Sequence, residues 1–298
     1  MKHLIRWGLF ESSKEEDIEY ICKQYGIKNW TLNDDGSIDV DGDVNIYDKG
    51  LNKLPLKFRN VSGYFDCSHN NLTSLEGCPE SLGGYLFCSY NNLTSLEGSP
   101  KSVGGSFFCS YNKLTSLEGS PESVGGHFLC YYNNLTSLEG GPKSVGSDFD
   151  CSNNKLTSLE GSPKSVNGHF KCYNNKLTSL EGSPKSVGRD FDCSDNNLTS
   201  LENGPKSVGG NFWCFNNNIT SLEGAPESIR YYFSCEDNPV YQIWNLFKDK
   251  EKIEFFNDLD IIRGNLIIFD RLIYFLDTIG KPRTEEELKN LIKDYTFI

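Results

Sequence analysis

Cations are scarce in this sequence. It carries 29 Lys plus Arg against 41 Asp plus Glu, a formal charge of -12 over 298 residues. Nucleic-acid binding is driven by basic side chains releasing counterions, so a phosphate-backbone ligand is not expected. No run of about 18 apolar residues occurs, so neither a spanning helix nor a membrane partner is expected. The start, Met1-Lys2-His3-Leu4-Ile5-Arg6, is charged and meets Glu11 before an apolar stretch could form, so no secretory leader is expected. No two cysteines stand in a C-x-x-C pair, which makes a cysteine zinc site improbable. There is no nucleotide loop and no nucleophile motif, so the chain is expected to be neither an enzyme nor a cofactor carrier. Apolar residues make up only 37%, yet 13% aromatics argue against disorder.

Cysteine and glycine, by contrast, are abundant and regular. Nine of the eleven cysteines are Cys67, Cys88, Cys109, Cys130, Cys151, Cys172, Cys193, Cys214 and Cys235, each 21 after the last. Between them runs F-x-C-S-x-N-x-L-T-S-L-E-G-x-P-x-S-V-G-G-x. Chance does not hold eight equal spacings; the pattern predicts a solenoid. Phe107 stands two before Cys109, so both share one face of a strand by its period of two. Leu114 and Leu117 follow five and eight after, and Val124 closes the coil from the far side. Stacked coils would bury these five positions as one core. A Pro and usually two Gly per coil, as in Pro100 and Gly104-Gly105, exclude a helix on the back. That side is expected to be turns and short extended pieces. An asparagine recurs three past each cysteine, from Asn70 to Asn238. Buried there, it is expected to bond the loop backbone of its own coil and of the next.

The N-x-L, L-x-x-L and Pro spacing resembles the bacterial type of leucine-rich repeat, whose coils have about 20 residues. The wording L-T-S-L-E-G-x-P-K-S-V-G-G is similar to that of leucine-rich repeat proteins of large bacteriophages, as are D-G-S-I-D-V-D-G-D-V-N-I and N-P-V-Y-Q-I-W at the two ends. The resemblance implies a β-rich horseshoe or arc of 21-residue coils, with a parallel concave sheet, a helix-poor convex side and helical caps. It also points to a host protein as partner, inside the host cytoplasm. Fold resemblance by itself assigns no activity.

The expected divisions are a helical cap over 1–30, about ten coils over 31–240, and a helical cap over 241–298. Ser12 or Ser13 with Glu15 or Glu16 reads as a capping box opening a helix to about Tyr25. Ser37 to Val40, followed by Asp41-Gly42, reads as a strand pair. Val44, Ile46, Leu51 and Leu54 fit a degenerate first coil in which Lys49 replaces the asparagine. Helices are expected over Tyr241–Phe247, roughly Glu251–Asp258 and Leu266–Ile279, and from Thr284 with Glu287 completing a capping box. The repeated cysteines are expected to be buried thiols, which suits a reducing cytosol. Cys78, in a loop, is expected to be the accessible one.

Function is sought where the coils differ. The outward row three before each cysteine runs Tyr64, Tyr85, Ser106, His127, Asp148, His169, Asp190, Asn211, Tyr232. Coils two to four present Tyr85, Phe87, Tyr90, Phe108, Tyr111, Leu129, Tyr131 and Tyr132, an aromatic field. Asp150, Lys171, Asp190 and Asp192 give a charged middle, and Trp213 and Phe215 a second aromatic zone. Facing aromatics can merely support neighbouring strands, but contiguous exposed apolar patches mark interaction sites. The expected site is therefore a protein-binding face made of these residues, Tyr90 excepted. Two other readings stay open: a glycan or small-ligand binder on stacked Tyr and Trp, and a metal or acid-base site at His127, Asp148, His169 and Asp190. The exposed columns Glu76 to Glu223 and Lys101 to Lys206 read as a solvated edge.

Overall fold

The computed structural model describes residues 15–298. The capping box at Ser12 or Ser13 and the charged start lie outside the described residues. The chain forms two compact units, Met1–Asp150 and Cys151–Ile298, each a β-solenoid of 21-residue coils.

Every coil contributes two short strands. In the first unit Val44–Asn45, Phe65–Asp66, Leu86–Phe87, Phe107–Phe108, Phe128–Leu129 and Phe149–Asp150 pair in parallel, with each residue opposite its equivalent 21 positions on. Ser81–Leu82, Ser102–Val103 and Ser123–Val124 do the same on another side. The far side of the coil, expected as turns and short extended pieces, thus carries a second parallel ladder. The second unit repeats both ladders, as in Phe170–Lys171 against Phe191–Asp192 and Ser186–Val187 against Ser207–Val208.

The inward phase is as the spacing predicts. Phe107, Cys109, Leu114 and Leu117 have no exposure and Val124 only 2%, while Phe108 is half-buried. Core phenyl rings stack along each unit, as in Phe128–Phe149 at 5.5 Å and Phe191–Phe212 at 5.3 Å. Between the two strands of a coil the backbones of neighbouring coils nearly touch. A Cβ on Gly104 would lie 2.3 Å from the carbonyl oxygen of Gly83, which is why glycine stands there.

The asparagine column behaves as its chemistry demands. Asn112 Oδ1 accepts from the Leu93 N–H at 3.0 Å, and its Nδ2 donates to the Cys88 and Cys109 carbonyls at 3.0 and 3.1 Å. In the first coil Lys49 supplies no amide, and its N–H instead donates to Asn70 Oδ1. The thiols of Cys88 and Cys109 donate weakly to the carbonyls of Phe108 and Leu129.

The ends hold two corrections, and one coil holds a third. Helix α1 occupies 15–25 and buries Ile18 and Cys22. Ile38–Val40 pairs antiparallel with Trp30–Leu32, which precedes it, and parallel with Phe58–Val61; Asp41-Gly42 instead leads into the first coil. In the second unit α2 (Tyr241–Phe247) falls as expected, α3 is Ile253–Asp258, and α4 is Phe269–Thr278. Leu266–Ile267 is a strand, not helix, because it pairs with Ile262–Arg263 and Thr296–Phe297. Helix α5, Glu285–Leu291, opens on the Thr284–Glu287 capping box. Cys78 is buried at 4% exposure, tucked under its loop. The C-terminal segment closes the last coil chemically as well as sterically. Trp244 packs edge-on against Phe233, and Asn257 and Tyr295 donate to the Leu222 and Thr220 carbonyls.

Candidate binding face

Past each cysteine the strand must turn, and it does so through one left-handed residue two positions on. Asp48, His69, Tyr90, Tyr111, Tyr132, Asn153, Asn174, Asp195, Asn216 and Asp237 all have φ between 50 and 55°. Asn, Asp and His tolerate that conformation; bulky side chains do so at a cost of about 1–2 kcal/mol. Seven of the ten coils obey the preference. The three that break it, Tyr90, Tyr111 and Tyr132, are consecutive and all lie in the first unit.

What the exception builds is a ladder of rings. His69 stacks on Tyr90 at 4.3 Å, Tyr90 on Tyr111 at 4.3 Å, and Tyr111 on Tyr132 at 4.7 Å, all within 19° of parallel. Tyr47 extends the column at 5.0 Å, tilted. Tyr90 and Tyr132 remain 45% and 49% exposed. A second column stands one residue before the cysteines. Phe87 and Phe108 stack at 4.8 Å, Leu129 lies in register beside Phe108, and Tyr85 sits 6.0 Å from Phe87. Between the columns come Ser68, Ser89 and Ser110, small and mostly buried, followed by Tyr131, whose ring meets Tyr111 edge-on at 5.5 Å. The first unit therefore brings Tyr85, Phe87, Phe108, Tyr111, Leu129, Tyr131 and Tyr132 together, with Asp150 next in register to Leu129.

In the second unit Lys171, Asp192 and Trp213 are aligned neighbours, with Phe215 half-buried two residues past Trp213. Asp192 corrects the expectation of an outward charge. It is only 9% exposed, and its Oδ1 accepts from the Ser194 N–H at 3.1 Å and hydroxyl at 2.5 Å. Burial pushes its carboxyl pKa up.

The row of histidines and carboxylates has a backbone task. At this position several side chains accept from the N–H of their equivalent one coil on: Asp43 from Tyr64 at 2.9 Å, Ser106 from His127 at 2.9 Å, His127 Nδ1 from Asp148 at 3.3 Å. In the second unit His169 Nδ1 serves Asp190 at 3.3 Å and Asp190 serves Asn211 at 2.7 Å. The same row also holds Tyr64, Tyr85 and Tyr232, and the Nδ1 atoms of His127 and His169 lie 3.0 and 3.1 Å from the Asp148 and Asp190 carboxylates, so each histidine meets a carboxylate as well as a backbone amide. Among the described residues no group of three or more His, Cys, Asp or Glu could hold a metal ion, and no helix is long and apolar enough to cross a membrane.

The sequence pattern leaves Tyr90 in the aromatic field but outside the expected site, and does not by itself display the backbone constraint on the tyrosine ladder. The signal was present: a row that is Asn or Asp in six coils is a left-handed turn position. Compared with known proteins, the chain matches no family model and no curated protein.

Proposed function

We propose that this chain is a non-enzymatic scaffold that binds another protein through the aromatic face of its first unit. One observation carries the reading. Three adjacent coils place Tyr where the backbone favours Asn, Asp or His, and with His69 build an exposed stacked ladder. A core-stabilising role would not need the rings half in water, whereas Tyr and other large aromatics dominate interface energies. The His and Asp side chains best suited to catalysis are engaged with one another, His127 with Asp148 and His169 with Asp190, and with backbone amides of the next coil. The repeat's likeness to phage leucine-rich repeats directs the partner search to a bacterial host, and eleven buried thiols suit its reducing cytoplasm. Affinity capture from host lysate with the wild type and with Phe87→Ala/Phe108→Ala tests this. Loss of a captured protein from the variant is the expected result. The same set of proteins on both would refute the face as a binding site.

A further inference from the structure

Accepting that the aromatic side binds protein, its geometry points to the occupant: a proline-rich segment in the polyproline II conformation, lying along the coil-stacking direction between the two aromatic columns. Four observations in the first unit converge on it.

The ring faces are used up. Each ladder ring is covered by the next at 4.3–4.7 Å, so the middle of the ladder offers edges and phenol hydroxyls. Sugars and nucleobases stack on open faces and find none there. The backbone is used up too. Leu86, Cys88 and Tyr90 donate to Ser106, Phe108 and Ser110, and Phe107, Cys109 and Tyr111 to His127, Leu129 and Tyr131. An incoming strand therefore has no ladder to join, and recognition must run through side chains. A polyproline helix needs no ladder: its carbonyls are unpaired acceptors, and phenol hydroxyls are donors.

The repeats also agree. Tyr90 to Tyr132 advances about 9 Å over two coils, from the two ring spacings. One polyproline turn of three residues advances about 9.3 Å, so every second coil meets an equivalent residue. An extended strand, repeating every 6.7 Å or so, falls between coils. The last observation is charge. The four outward rows of this unit hold Asp43, Asp48, Asp66, Asp148 and Asp150, and no Lys or Arg. The aromatic centre is thus bounded by carboxylates, Asp48 and Asp66 before it and Asp150 after, with Asp148 beside Asp150 facing His127 at 3.0 Å. Asp66 to Asp150 spans four coil steps, roughly 19 Å at the sheet spacing, or about six polyproline residues. The occupant is a proline core of that length with a basic residue at each end.

The probe is a fluorescent oligoproline of about eight residues with arginine at both ends, titrated into the full chain by anisotropy. A Gly-Ser peptide of equal length and charge is the comparison. Tyr90→Asn/Tyr111→Asn/Tyr132→Asn is the test variant. It keeps the fold because Asn occupies the same left-handed site at Asn153, Asn174 and Asn216. Saturable binding of the oligoproline alone, weakened at least about tenfold in the variant and weakened by salt, is the expected outcome. No binding to the wild type, or equal binding to the variant, overturns the proposal. The capture experiment separates the two levels. A protein lost from Phe87→Ala/Phe108→Ala but not displaced by oligoproline overturns the polyproline occupant and leaves the binding face standing. Identical capture by both chains removes the face itself.

Discussion

Replacing Asn112 by alanine is the sharpest test of how the coils are held. The side chain is 8% exposed and makes bonds in two directions. Its oxygen takes the Leu93 N–H one coil back; its nitrogen serves the Cys88 carbonyl of that coil and the Cys109 carbonyl of its own. Alanine fills none of these, and the groups left behind are main-chain atoms that cannot leave. A buried polar group deprived of its partner costs about 1–3 kcal/mol. The N–H is left fully orphaned, while the carbonyls keep a second lone pair to satisfy elsewhere. The expected loss is therefore about 3 kcal/mol, enough to threaten a typical domain stability of roughly 5–15 kcal/mol. Urea unfolding of Asn112→Ala beside Lys113→Ala measures it, with the slope checked for a change in cooperativity. Lys113 is exposed and should move stability by less than about 0.5 kcal/mol. A loss below about 1 kcal/mol for Asn112→Ala would refute the reasoning, because a column worth so little could not fix the register of the coils.

Three further outcomes follow from burial and backbone. All eleven cysteines are buried, and burial raises Cys22 to about 11 and lifts Cys78, Cys88, Cys193 and Cys214 further. A thiol reagent at pH 8 should thus find none in the native chain and all eleven in denaturant; rapid labelling of Cys78 alone would restore the exposed-loop reading. Asp192 has its folded pKa raised by burial, so the native state holds its proton more tightly than the unfolded chain. Its contribution to stability is present below the unfolded carboxylate pKa and lost as pH rises through the folded value. Asp192→Asn should accordingly raise the melting temperature at pH 7 and lose that advantage in acid; an unchanged gap across pH would contradict this. Tyr132→Asn exchanges one stacked pair, worth about 0.5–1.5 kcal/mol, for relief of about 1–2 kcal/mol of left-handed strain. Thermal melting should show it neutral to mildly stabilised, and a loss beyond about 2 kcal/mol would mean the ladder exists for stability.

The core was legible because period carries it. Phe at -2, Cys at 0 and Leu at +5 and +8 recur without insertion, and a strand's alternation then decides what faces water. Asn112 was legible for the same reason: one invariant polar type among apolar positions has to be answering the backbone. Legibility failed where a position is set by neighbours rather than by period. Leu266–Ile267 looks helical, yet pairing with Thr296–Phe297 near the far end of the chain makes it a strand. Cys78 sits in a turn whose own fold covers it. Asp192 looked like a surface charge because alternation aims it outward, but the Ser194 N–H and hydroxyl engage its carboxylate and it is buried.

The left-handed row shows why conformation has to be read beside composition. Taken as a list of outward residues, Tyr90, Tyr111 and Tyr132 are three aromatics among many. Taken as residues at φ near 55°, they stand where the backbone favours Asn. The second unit shows the unforced solution: Asn174 donates to Asn153 at 2.6 Å and Asn216 to Asp195 at 2.5 Å, a polar ladder with no strain to offset. Nothing in the coil's internal packing requires the first unit to differ, since its Phe, Cys and Leu core is the same. The rings must therefore answer to something outside the coil. Because their faces are closed and their edges open, that something meets edges and hydroxyls, which is the physical ground for a chain of carbonyl acceptors rather than a flat ring as the ligand.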